Sequence, residues 1–153
     1  MPTLTEVRDA AVELLKKTFP ALPRVEAFSG ELDLEVAARK RLPPGVTILV
    51  AAVSADNEGT ALYLDMEGTF GVVVVASNRA GREAAEKDVL IAAEKAALTI
   101  HGSRFGLTGV SPARVRVLEQ VMDEKLAENN LCAWSLVWQQ ALTFTTGEHD
   151  DAV

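Results

Sequence analysis

The sequence predicts an α+β fold, in which an N-terminal helix and a long central helix pack on one face of a mainly antiparallel or mixed sheet of four to five strands. Residues 3–19 and 82–101 predict the two helices, because their apolar side chains recur at helical spacing. Runs rich in β-branched residues predict the strands. The 153 residues suffice for one domain, so we assign residues 1–146 to a single domain and residues 147–153 to a flexible acidic tail.

The first helix is predicted by one apolar face and by both of its ends. Thr3 and Glu6 have the spacing of a capping box, in which side chains satisfy free amides at a helix start. Pro20 lies just beyond the last turn, where a helix ends. The residues on the apolar face are Leu4, Val7, Ala11 and Leu14.

Residues 24–76 predict three strands in close succession after a first short one. Short loops between successive strands imply antiparallel neighbours, so this region is interpreted as a meander. The elements are, in order, a strand at 24–29, a segment at 31–42 that could form a short helix, a strand at 46–53, a hairpin loop at 54–59, a strand at 60–67, a turn at 68–69 and a strand at 70–76.

Four consecutive valines, residues 72–75, distinguish the last of these strands from its alternating neighbour. Successive side chains of a strand point to opposite faces of the sheet, so both faces are expected to be dry at this point. The helices of the domain can cover one face. We expect a second subunit to cover the other, which makes Val72 and Val74 candidates for an oligomer interface.

The second half of the chain begins with a long helix, Arg82–His101. Its alanine-rich face allows a close approach to a sheet, and the stripe consists of Ala85, Val89, Ala92, Ala96 and Ile100. The segments that follow are a loop at 103–112, a strand from 114 to 118 or 121, a polar turn or helical fragment at 122–130 and a last strand at 134–145.

Composition excludes several classes of function. The net charge is −7, and the basic clusters are small, so a nucleic acid is not expected as the main ligand. No apolar run approaches the roughly 20 residues that span a membrane. Cys132 is the single cysteine, which rules out an internal disulfide and fits a reducing cytoplasm.

No motif predicts a cofactor or a metal. The turn SNRAGRE at residues 77–83 joins a strand to a helix, but its single Gly81 falls short of the glycine patterns that bind nucleotides. We interpret it as a connection. His101 and His149 are the two histidines, and zinc-ligand spacing is absent.

Catalytic interpretations have little support in the sequence. Cys132 is an isolated cysteine, which is usually a small core residue. Asp65 and Glu67 lie two residues apart on a strand, so they share a face and could act as acid and base, but a solvated strand face explains them more simply.

Aromatic side chains on the last strand suggest a second candidate interface. Trp134 and Trp138 share one strand face, where core packing is the simpler interpretation and a partner surface the functional one. Gln139 and Gln140 beside them would suit an edge strand or the polar rim of an interface.

In their order and in their residue patterns, these segments resemble the tail protein family of Mu-like phages, whose members are thought to act as tail terminators. The resemblance runs from about residue 4 to 146. It rests on PRVEAFSGEL after the first helix, the Pro-Pro-Gly approach to VTILVAAV, FGVVVVASNRAG with the helix ending in ALTIHGSRFGLTG, and the closing SLVWQQALTFTT.

This resemblance implies a structural protein without catalytic residues or a cofactor. Tail terminators form rings, usually of six copies, that stop the tail tube from growing and meet the head-completion proteins, and in contractile tails the sheath. The implied partners are therefore further copies of the chain, the tube protein and those neighbours, and the implied locations are the host cytoplasm during assembly and the virion tail. A ring requires a heterologous interface that closes on itself.

Two alternatives are kept open. The chain could be another head–tail joining or tail-assembly protein, which would act through binding alone. It could also be a small enzyme with a site built from Asp65, Glu67, His101 or Cys132.

Overall fold

Five strands and three helices make up the described part of the chain. The structure is a computed structural model and describes residues 3–22, 24–28, 45–57, 63–128 and 130–145. The strands are β1 (Arg24–Ala27), β2 (Gly45–Asn57), β3 (Tyr63–Ser77), β4 (Arg114–Gln120) and β5 (Leu131–Thr145), and the helices are α1 (Leu4–Thr18), α2 (Arg82–Ile100) and α3 (Glu124–Glu128).

The strands form one mixed sheet in the order β1–β2–β3–β5–β4. β1 runs parallel to β2, and the other described neighbours are antiparallel. The predicted α+β class is confirmed, as are the N-terminal helix and the long central helix.

Both long helices pack on the same face of the sheet, which we call the helix-covered face. The main core cluster joins Val7 and Leu15 of α1 to Ile48, Val74 and Leu136 of the sheet. The alanine-rich stripe of α2 is buried against them, with Ala85, Val89, Ala92, Ala96 and Ile100 at most 5% exposed. Small side chains let the helix axis lie close to the strands, as the sequence predicts.

The start of α1 is capped by a side chain. Thr3 is the N-cap, and its hydroxyl oxygen accepts a hydrogen bond from the Glu6 amide at 3.1 Å. The Glu6 carboxylate in turn accepts from the Thr3 hydroxyl at 3.4 Å, where a full capping box would use the Thr3 backbone amide. The predicted cap is present in this modified form.

The predicted meander is wrong in its details, because two long strands replace three short ones. β2 continues through Ser54–Asn57, where the sequence predicts a hairpin loop, and β3 passes through Gly68 and Thr69, where it predicts a turn. A Cβ on Gly68 would lie 2.8 Å from Phe70 Cε2, so the glycine serves a close contact with an aromatic ring.

The sequence predicts either a polar turn or a helical fragment at 122–130, and the segment contains the short helix α3. The helix predicted at 31–42, the loop residues 58–59 and the acidic tail at 147–153 lie outside the described residues.

Candidate interaction surfaces

The valines and one of the tryptophans predicted for an interface belong to the core of the single chain. Val72, Val74 and Trp138 are fully buried beneath the helices. The prediction that they contact a partner is wrong, since none of them offers accessible surface while the fold persists.

The opposite face of the valine run is also covered by the chain itself. Val73 and Val75 are 5% and 1% exposed, and they form a second cluster with Leu126 of α3 and with Leu131 and Ala133 of β5. Both faces are dry, as predicted, but the expectation that a second subunit must cover this one is wrong.

Gln140 is a buried clamp and not the polar rim that the sequence suggests. It is 1% exposed, and its Nε2 donates to the carbonyl oxygens of Ser103 and Ser111 at 3.2 and 2.7 Å. Its Oε1 accepts from Trp138 Nε1 at 3.2 Å. These bonds hold the loop after α2 against β5. Gln139 points to the other face and is half-buried.

The same loop closes over an aromatic stack. The rings of Phe70 and Trp138 are parallel, with centroids 4.9 Å apart, and Phe105 of the loop tilts against Trp138 at 5.9 Å. The Ser111 amide donates to Ala141 O, and Ser111 Oγ accepts from the Ala141 amide, both at 2.9 Å. Val110 forms an antiparallel bridge with Leu142, so the loop continues the sheet where β4 has not yet begun.

Trp134 differs from Trp138 because its polar atom has no partner. The side chain is half-buried and packs against the main core, and Nε1 is buried without a hydrogen-bond partner. An unpaired buried N–H costs free energy, so this residue contributes to the core less than its size suggests. Of the six predicted interface residues, Trp134 and Gln139 retain accessible surface.

β4 is the outer strand of the described sheet on one side. Arg114 forms an ion pair with Glu67 at 3.2 Å, and the register shifts at a bulge between Val115 and Val117. The Val115 amide turns away from β5 and donates to His101 Nδ1 at 3.1 Å. His101 therefore occupies one position on the outer side of this strand.

β2, β3 and β5 continue past the last position that pairs with β1 as three long strand ends, residues 53–57, 63–69 and 139–145, which we call the arm; the loop after α2 packs against its Gln140 and Leu142. β3 and β5 have 15 residues each, about 50 Å of extended chain, whereas the 19 residues of α2 span about 28 Å. β1 pairs with β2 only over Thr47–Val50, so the outer side of β2 along the arm is not paired with β1.

Of the residues considered for catalysis, Asp65 and Glu67 lie two residues apart on β3 and share a face, whereas His101 and Cys132 lie elsewhere. Glu67 is paired with Arg114, and His101 accepts from Val115, which lies opposite Trp138 on β5. Cys132 lies six residues before Trp138 on β5, which is about 20 Å along the strand. Its thiol donates to the carbonyl oxygen of Arg82 at 3.6 Å.

A pocket of about 270 Å³ lies between α3, the start of α2 and the first residues of β5. Leu126 and Cys132 line it, and both are buried. Met122, also in the lining, is 84% exposed. The pocket adjoins the second core cluster, and its lining is mostly apolar side chains.

Among the described residues, no group of three or more histidine, cysteine or acidic side chains is placed to hold a metal ion. No described helix combines the length and the apolar character that crossing a membrane requires. Comparison with protein-family models and with curated proteins returned no match.

Proposed function

We propose that the chain is a structural tail protein of a phage or prophage, of the tail-terminator kind. Identical copies close into a ring, of six subunits if the resemblance holds in full, that caps the tail tube. The ring also binds head-completion proteins and, in a contractile tail, the sheath. The proposal includes no catalytic role and no cofactor.

The resemblance in sequence supports this proposal, and the fold agrees with what that resemblance implies. A small α+β domain with helices on a mixed sheet is the expected architecture, and the described chain has it. The valine run no longer contributes, because the chain itself covers both of its faces.

The observation that carries the proposal is the presence of two different strand edges on opposite sides of one sheet. A ring needs a heterologous contact, in which one surface of a subunit meets a different surface of the next. Among the described residues, the Val53–Asp56 part of β2 lies beyond its pairing with β1 and forms one edge, and β4 after Val115 forms the other. Edge strands pair readily with strands of another chain through their free N–H and C=O groups.

Each edge also carries a bulge, which limits indiscriminate pairing. β2 shifts register between Ala52 and Ser54, and β4 between Val115 and Val117. Bulges twist an edge and interrupt its ladder, so only a partner with a matching register pairs over a useful length. A subunit of this kind stays soluble alone and assembles with its proper neighbours.

Tube capping tests the proposal. Tail-tube protein is polymerised with increasing amounts of the chain, and tube lengths are measured by electron microscopy. We expect shorter tubes with extra density at one end. Tubes of unchanged length, together with binding to head-completion proteins, would favour the alternative of a joining protein. Unchanged tubes and no binding to either partner would contradict both proposals.

A proline variant at the β4 edge provides a matched control. The Val121 amide donates to Ala133 O, so the Gln120 amide, one residue earlier, points away from β5. Gln120→Pro removes an outward donor and leaves the β4–β5 ladder intact. We expect this variant to keep its thermal stability and lose assembly, whereas Gln120→Thr keeps both.

A further inference from the structure

The segment that follows α2 lies along the outer side of the chain where β4 begins. The Gly102 amide donates to Ala113 O at 2.8 Å, and the Ala113 amide donates to Ser103 O at 2.9 Å. Two residues further on, the Val115 amide donates to His101 Nδ1 at 3.1 Å. Two backbone hydrogen bonds and one imidazole therefore cover this side of the chain from Ala113 to Val115.

His101 takes the place that a backbone carbonyl oxygen would have in a longer neighbouring strand. Successive residues of a strand point their N–H and C=O groups to opposite sides, so Ala113 and Val115 share the outer side. The first of these amides meets a carbonyl oxygen, whereas the second meets a ring nitrogen. The imidazole is the last group in this covered row, so it determines where the open edge of β4 begins.

The hydrogen bond defines the protonation state of the ring. A ring nitrogen accepts through its lone pair, so Nδ1 carries no proton while the bond exists, and the neutral ring carries its proton on Nε2. A second proton therefore enters at Nδ1. It converts the acceptor into a donor that faces the N–H of Val115, and two donors form no hydrogen bond. The bond is thus present above the pH at which His101 takes up this proton and is lost below it.

The surroundings of His101 give the protonated ring no replacement partner. The side chain is exposed, so the proton can come from bulk water while the chain stays folded. The charged residues on the adjoining elements, which are the last two turns of α2, the loop at 103–112 and β4, are Glu94, Lys95, Arg104, Arg114, Arg116 and Glu119. Among the described residues, no carboxylate forms an ion pair with His101. No such pair therefore holds the charged ring against β4.

We propose that His101 is a pH-dependent cap of the β4 edge. The neutral imidazole covers the Val115 amide, and the protonated imidazole releases that amide to water or to a strand of another chain. Histidine side chains change charge between about pH 5 and 8, so the release occurs under mild conditions. The freed N–H adds a donor to an edge strand, and edge strands pair through such groups. The inference concerns β4 alone and does not depend on the proposed tail function.

Amide hydrogen exchange, measured by NMR along a pH titration, tests the cap. The protection factor of Val115, which corrects for the direct effect of pH on exchange, should fall roughly three- to tenfold as the His101 ring signals report protonation. The Ala113 amide is the internal control, because its acceptor is Ser103 O, which does not titrate. Its protection should stay constant. Constant protection of Val115 throughout the His101 titration, or an equal loss at both amides, would overturn the proposal.

Two variants of His101 separate the effect of protonation from the loss of the side chain. His101→Asn places an amide oxygen close to the position of Nδ1 and takes up no proton, so Val115 should stay protected at every pH. His101→Ala has no acceptor, so Val115 should exchange at every pH about as fast as in the wild-type chain at low pH, after the same correction. An alanine variant with full protection, or an asparagine variant that loses protection at the wild-type midpoint, would contradict the cap.

Discussion

Replacing Gln140 by leucine separates a buried hydrogen-bonding role from a role at a surface. The side chain is 1% exposed and forms three hydrogen bonds, to the carbonyl oxygens of Ser103 and Ser111 and to Trp138 Nε1. Leucine is comparable in size, branches one atom earlier along the side chain and can form none of these bonds. The substitution therefore removes the polar pairing and leaves an apolar side chain in its place.

The expected loss follows from the groups left without partners. A buried donor or acceptor that loses its partner costs about 1–3 kcal/mol. The indole N–H of Trp138 lies in a fully buried side chain, so water cannot replace its lost hydrogen bond. Ser103 and Ser111 are half-buried, so water recovers part of the cost at their carbonyl oxygens. We expect the free energy of unfolding to fall by about 3 kcal/mol, which lowers Tm by roughly 6–12 °C for a chain of this size.

Urea unfolding followed by tryptophan fluorescence measures this loss. Gln139→Leu is the matched control, because Gln139 is adjacent to Gln140 and its side chain is half-buried on the opposite face of the sheet. We expect this control to change the free energy of unfolding by less than about 0.5 kcal/mol. A Gln140→Leu variant that loses less than about 1 kcal/mol, or no more than the control, would refute the clamp.

Three further predictions concern packing, and urea unfolding checks each of them. Gly68→Ala should cost about 1–3 kcal/mol, because the added methyl group meets a ring that is fixed in an aromatic stack; a neutral result would mean that the stack yields. Leu126→Ala should cost about 2–4 kcal/mol, whereas Met122→Ala, at an 84% exposed position, should cost less than about 0.5; equal losses would contradict the second core cluster. Trp134→Phe should cost less than Trp138→Phe, because it removes an unpaired N–H where the other removes a paired one, and the reverse order would contradict this.

Local patterns predicted the elements whose determinants are close in sequence. The residues that form the apolar stripe of α2 and the Thr3 cap of α1 each belong to one helical segment, and both features are present in the structure. Their spacing is a property of one segment and does not depend on which other segments pack nearby. The same holds for the valine run, whose burial on both faces follows from its composition.

Errors arose where the partner is distant in sequence. Gly68 has the composition of a turn, but it lies within β3 because the Phe70 ring, stacked on Trp138, occupies the space of a side chain. Gln140 looks like a surface residue, and its role depends on a loop some 30 residues earlier in the chain. Leu126 is one of only a few apolar residues in a polar segment, too weak a signal to show that α3 covers the valines.

The order of the strands has a consequence for synthesis on the ribosome. β5 is made after every other described strand, yet it lies between β3 and β4 and forms the ladder with each. A nascent chain that has emerged only as far as β4 leaves that strand unattached and exposes one side of β3. Native assembly of the sheet therefore waits for the segment that begins at Leu131, and a chain interrupted before it retains strands without their neighbours.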